Sequence, residues 1–212
     1  MIDSELYEEI NSTYIEHENI NAILSDLKQG INFNLWADRF TTDAYYNNLD
    51  LAQALFEESF KQVQTWRDYR DLAFHVGKKA GYNDTVWAKK LIQTAITQIT
   101  ILRDLRSLAD DLATKSSKFY DREMAMEIYK EVIEKAQTAY DFYCVAESLC
   151  NKDMIDDKDW AIEVYKKGIE VSKNTDELTA LADSIADEDG LNDELWSEEL
   201  YAIAEAFETK SV

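Results

Sequence analysis

The chain has 212 residues, no proline, five glycines, two cysteines and a net charge of −21 at pH 7. Hydrophobic residues make up 46%, which excludes wholesale disorder. Without proline and with so little glycine, a fold rich in tight turns is excluded and an all-α protein is expected. So acidic a chain repels nucleic acid and anionic membranes, and neither is an expected partner.

The charge is uneven. Residues 1–50 carry ten acids against two bases, 51–136 thirteen against fourteen, and 137–212 twenty against six. The opening stretch MIDSELYEEI is acidic and polar, unlike a signal peptide. No stretch approaches the roughly 18 consecutive apolar residues of a membrane span. Cys144 and Cys150 lie six residues apart, about 120° from each other on one helix, a poor arrangement for pairing or chelation. Two free cysteines fit a reducing compartment, so a cytoplasmic protein is expected.

Along the chain, residues 1–47 read as an irregular helical N-terminal cap. From residue 48 the sequence repeats itself every 36 or 37 residues. Asn48, Asp84, Asp121, Asp157 and Asp193 form one column. Three residues further come Leu51, Trp87, Met124, Trp160 and Trp196, each followed by a small residue: Ala52, Ala88, Ala125, Ala161 and Ser197. A second column pairs Leu72-Ala73, Leu108-Ala109, Val145-Ala146 and Leu181-Ala182, with Trp36-Ala37 as an earlier, degenerate copy.

Each repeat predicts two helices. In the first, Trp160, Ala161, Val164, Tyr165, Gly168 and Ile169 make one apolar stripe at helical spacing. The column Asp or Asn is its expected N-cap. The second helix opens on capping-box-like stretches, Thr65 to Asp68, Thr138 to Asp141 and Asn174 to Glu177; the copy at Ile101 lacks the cap residue. The large-small pairs let neighbouring helices approach closely, and the periodic Trp87, Trp160 and Trp196 are expected in the core. Trp36 and Trp66 are less constrained, with Trp66 expected to be partly exposed. A lone helical hairpin cannot cover both its faces, so the prediction is a right-handed α-solenoid of four to five two-helix repeats over residues 48–212. The acidic helix over 193–208 should cap its end with a charged outer face.

The run from Asp157 through Ala161, Tyr165 and Lys167 to Gly168 resembles the D-x-x-x-A-x-x-W/Y-Y-x-K-A pattern of Sel1-like repeats, long-period relatives of tetratricopeptide repeats. Leu181-Ala182, Ile185, Gly190 and Leu191 resemble that family's second segment, as do Leu72-Ala73, Val76, Gly81 and Tyr82. Ser117 and Met154 replace the second loop glycine in two copies. The resemblance covers roughly residues 48–208 and implies a scaffold that binds proteins or peptides without chemistry of its own.

The residues themselves point the same way. Only His17 and His75 exist, and His75 is expected to be a half-buried structural histidine. No zinc spacing, phosphate loop or nucleophile elbow occurs. The segment DEDGLND lacks the position-5 ligand and the glycine of an EF-hand loop, and reads as an inter-helix turn ending in an N-cap. No enzyme activity, cofactor or metal is expected.

The polar feature that stands out is the pair Arg67 and Arg70, repeated 36 residues later as Arg103 and Arg106, with Lys78, Lys79, Lys89 and Lys90 on nearby segments. Salt bridges to the adjacent aspartates are one reading; a basic groove for an acidic peptide is the other. The expected function is a protein-interaction scaffold or adaptor. The alternative is an acidic inhibitor or immunity-type protein that masks a basic toxin or nucleic-acid-binding partner.

Overall fold

The structure, a computed structural model, describes residues 32–41, 48–188 and 190–209. His17, most of the expected N-terminal cap and Asp189 lie outside the described residues. Among those described there are ten α-helices and no strand: α1 Phe33–Phe40, α2 Leu49–Gln62, α3 Trp66–Val76, α4 Thr85–Gln98, α5 Leu102–Ala113, α6 Arg122–Lys135, α7 Ala139–Cys150, α8 Lys158–Val171, α9 Thr175–Ala186 and α10 Glu194–Thr209. The all-α expectation holds. The described residues form two compact units, one up to Gln98 and one from Ile99.

The helices start where the sequence columns place them. Asn48, Asp84, Asp121, Asp157 and Asp193 each accept the backbone N–H three residues on, at 2.9 to 3.1 Å. Each such cap stabilises its helix by about 1 kcal/mol. Thr65 with Asp68 and Thr138 with Asp141 close full capping boxes. Asn174 accepts from the Glu177 N–H at 2.9 Å. Ile101 starts α5 with no side-chain cap.

The column aspartates do a second job. The backbone N–H of Asp84 donates to the Val76 carbonyl at 2.9 Å, Asp121 to Leu112 at 3.0 Å, Asp157 to Leu149 at 2.7 Å and Asp193 to Ile185 at 3.1 Å. Each bond ties the start of one helix to the end of the preceding one. The most extensive helix pairs are accordingly α3 with α4 in the first unit, and α5 with α6, α7 with α8 and α9 with α10 in the second. The tight hairpin is therefore the second helix of one sequence repeat with the first helix of the next. Asn83, Asp156 and Asn192, each just before a cap, take left-handed backbone with φ of 56 to 59°. Asn and Asp adopt that region more readily than other side-chain-bearing residues.

The small residues form the core. Ala52, Ala88, Ala125 and Ala161 are fully buried, and Ser197 nearly so. Leu72-Ala73, Leu108-Ala109, Val145-Ala146 and Leu181-Ala182 are fully buried as well. Trp87, Trp160 and Trp196 depart from expectation and are only half-buried. They lie at the edge of the stripe, where Trp87 meets the Phe56 ring edge-on at 6.5 Å and Trp196 meets Tyr165 likewise at 6.2 Å. Trp66, expected to be partly exposed, is only 9% exposed, and Trp36 is 3% exposed. Gly168 marks a close helix approach: a Cβ there would stand 3.2 Å from the Phe142 Cβ and 3.1 Å from Leu181 Cδ2.

Candidate functional site

A polar seam recurs at equivalent repeat positions. In the first unit Asp38 Oδ2 lies 2.9 Å from His75 Nδ1 and 3.2 Å from Lys78 Nζ. In the second, Ser148 Oγ donates to Asp110 at 2.8 Å, and Ser184 Oγ donates to Glu147 at 2.9 Å. The donor stands 37 or 38 residues after the acid in all three. Tyrosines complete it: Tyr129 donates to Asp110 at 2.7 Å, Tyr165 shares a 2.7 Å bond with Ser184, and Tyr201 donates to Asp183. Sequence reasoning missed this seam, although Tyr129, Tyr165 and Tyr201 recur every 36 residues and Asp38, Asp110 and Asp183 share one column.

Burial and neighbours push the seam acids in opposite directions. Desolvation raises the Asp110 carboxyl above the ordinary range, more than Tyr129, Ser148 and Arg106 lower it. Desolvation raises Asp38 too, but the hydrogen bond and charge of His75, with Lys78, outweigh it and leave the carboxyl below its usual range. The seam is a structural brace, and His75 is the half-buried structural histidine expected from its place in the helix.

The eight basic residues fall in both units. Six lie in the first unit. The Arg67 guanidinium sits 4.3 Å above the Trp66 ring and Arg70 5.9 Å from it, a contact worth about 0.5–1 kcal/mol at an exposed site. Arg70 also donates twice to Asp71, at 3.1 and 2.8 Å. Lys78 is held by Asp38. Lys79 and Lys90 are exposed, and Lys89 is half-buried on α4.

Arg103 and Arg106 lie in the second unit, and the structure brings them together. With Leu102, Val132, Tyr140, Asp141 and Cys144 they line a crevice of about 20 Å³ between α5, α6 and α7. Arg103 is exposed; Arg106 stands 4.0 Å from Asp110. Tyr140, 54% exposed, packs edge-on against Tyr143 at 5.2 Å. Sequence reasoning missed this tyrosine pair, although the signal was there: Tyr140 and Tyr143 stand 37 residues after Arg103 and Arg106. A volume near 20 Å³ holds about one water, so the crevice is a surface notch rather than a substrate chamber. Burial raises the Cys144 thiol, the larger effect, against the lowering by Arg106, which disfavours the reactive thiolate.

A larger hollow of about 420 Å³ in the first unit is lined by Asn32, Phe33, Asn34, Ser59, Gln62, Val63, Asp68 and Asp71. Its Asp68 carboxylate is committed to the Thr65 cap. Among the described residues no group of three or more metal-binding side chains occurs, and both cysteines are buried and unpaired. No described helix is long and apolar enough to cross a membrane. Asp187 ends α9, Gly190 N–H closes a turn onto its carbonyl at 3.0 Å, and Asp193 caps α10; this is the turn expected for DEDGLND.

These features define an all-helical protein with a recurring capped hairpin. No family model matches the chain, and no curated protein or solved structure matches it either.

Proposed function

We propose that the chain is a protein-interaction scaffold, its hairpins forming one α-solenoid of four to five Sel1-like repeats, working in the cytoplasm without catalysis or cofactor. The reading rests on the notch beside Arg103, Arg106 and exposed Tyr140. Two guanidinium forks beside an aromatic edge recognise carboxylates and stack on flat groups, and they do so at a surface too shallow for a small substrate. An acidic, aromatic-containing peptide segment of a partner protein fits that chemistry.

A labelled decapeptide alternating Glu and Phe, titrated against the full chain, tests the reading. Arg103→Glu, a change at an exposed position, should weaken binding at least tenfold, while Lys90→Glu on α4 should change it far less. Equal losses from the two variants would sink the proposed site and reduce the binding to bulk charge.

The second reading, an acidic protein that masks a basic partner, draws on the charge of residues 137–212, twenty acids against six bases. Association with such a partner would slow steeply as salt rises. A complex whose on-rate ignores salt would argue against it.

A further inference from the structure

The outer face of α10 breaks the rule of its siblings. Counted from the cap residue, the second, ninth and tenth positions are Asp50, Glu57 and Glu58 in α2, Glu123, Lys130 and Glu131 in α6, and Asp159, Lys166 and Lys167 in α8. All nine are charged. In α4 they are Val86, Gln93 and Thr94, and in α10 they are Leu195, Ala202 and Ile203. Leu195 is 76% exposed and Ile203 50% exposed. By helix geometry Leu195 and Ala202 lie on the side of α10 opposite Ser197, Leu200 and Ala204, which are buried in the core, and Ile203 lies on the flank beside them. The outer side of α10 carries the expected charge in exposed glutamates, and among them it also presents Leu195, Ala202 and Ile203 where α2, α6 and α8 are charged. A surface helix normally keeps its second face polar, and the departure at these positions is what a docking surface would need.

The charge around the strip selects the occupant. Glu194, Glu198 and Glu205 run along one edge of it and Glu199 stands within it, all exposed; α10 contains no lysine or arginine. A second copy of α10 would set these glutamates against their own kind, which is unfavourable. We propose that the outer face of α10 docks a basic amphipathic helix of a partner protein, its apolar stripe on Leu195, Ala202 and Ile203 and its lysines or arginines against the four glutamates. This surface is separate from the Arg103 notch and takes a partner of opposite charge.

The probe is an 18-residue Leu/Lys peptide with leucines at helical spacing, titrated by fluorescence anisotropy against the full chain. Its control is a peptide of the same composition with the leucine spacing scrambled. The charge-neutral variant Leu195→Gln/Ile203→Gln alters only exposed positions and should keep the wild-type melting temperature. It should bind the amphipathic peptide at least tenfold more weakly, and the wild-type chain should prefer the amphipathic peptide to the scrambled one. Arg103→Glu should leave this binding at or above the wild-type level, which separates this surface from the notch. Absence of binding, equal binding of both peptides, or equal binding by variant and wild type would overturn the proposal. So would a wild-type dimer in sedimentation that the variant dissolves, since the face would then belong to a second copy.

Discussion

Tyr129, with no exposed surface, donates its hydroxyl to Asp110 at 2.7 Å, and the Ser148 hydroxyl reaches the same oxygen at 2.8 Å. One carboxylate oxygen thus gathers donors from α6 and α7 onto α5. Asp110→Ala would strand the Tyr129 hydroxyl and should cost about 1–3 kcal/mol in urea unfolding. Asp110→Asn keeps an accepting oxygen and should cost less. The two variants separate pairing from charge. The folded carboxyl titrates above its unfolded value. Its contribution is fully present below the unfolded pKa, near 3.8, and is lost as pH rises through the folded pKa. Asp110→Asn should therefore gain on the wild type between acid and neutral pH. A constant gap across that window would contradict the assignment.

Asp38 runs the opposite way. Its folded carboxyl titrates below the ordinary 3.8 because His75 and Lys78 outweigh the desolvation. Its stabilisation is present above the unfolded pKa and lost as pH falls through the folded one. Asp38→Asn should cost stability at pH 6 and lose less against the wild type as the pH drops below about 4. Unfolding curves for both proteins from pH 6 to 2.5 check this. A gap that widens on acidification would show that Asp38 is not paired as described.

The apolar columns and caps were legible because a helix needs the same residue class at the same place in every copy. The cap column predicted the start of five helices, and the absent cap at Ile101 was visible too. The tryptophans misled because bulk and periodicity suggest a core. Alanine fills the narrow space between helix axes, and an indole fits only at its margin, as Trp87 does against Phe56. The notch was half legible. Arg103 and Arg106 repeat Arg67 and Arg70, while their neighbours Tyr140 and Tyr143 continue the same positions with a different chemistry. The outer face of α10 was missed because its glutamates dominate the composition, and only the comparison of exposed positions between copies separates it.

Ile101 is the one second-helix start without a side-chain cap among α3, α5, α7 and α9, and its side chain is 55% exposed. Asp104 already stands at the third helical position, where Asp68 and Asp141 complete boxes with Thr65 and Thr138. Ile101→Thr supplies the missing half. It should raise stability by about 1 kcal/mol and the melting temperature by about 2–4 °C. The double change Ile101→Thr/Asp104→Ala should lose part of that gain, because the reciprocal bond to the cap backbone is gone. An unchanged melting temperature for Ile101→Thr would mean that the α5 start does not share the geometry of the α3 and α7 starts.

Gly190 tests whether its turn or its packing requires glycine. Gly81, Ser117, Met154 and Gly190 each donate a backbone N–H to the carbonyl three residues earlier, at 2.9 to 3.0 Å. Serine and methionine make the same turn, so the turn alone does not demand glycine. At Gly190 a Cβ would stand 2.9 Å from the Ser184 carbonyl oxygen, which is backbone and cannot swing aside. At Gly81 the nearest atoms are Lys78 Cδ and Thr41 Oγ1, both 3.3 Å away and on side chains. Gly190→Ala should destabilise by about 1–3 kcal/mol through this overpacking, and Gly81→Ala by less. Paired thermal melts decide it: equal shifts for the two variants would mean that the close approach of the Ser184 carbonyl does not set the requirement at Gly190.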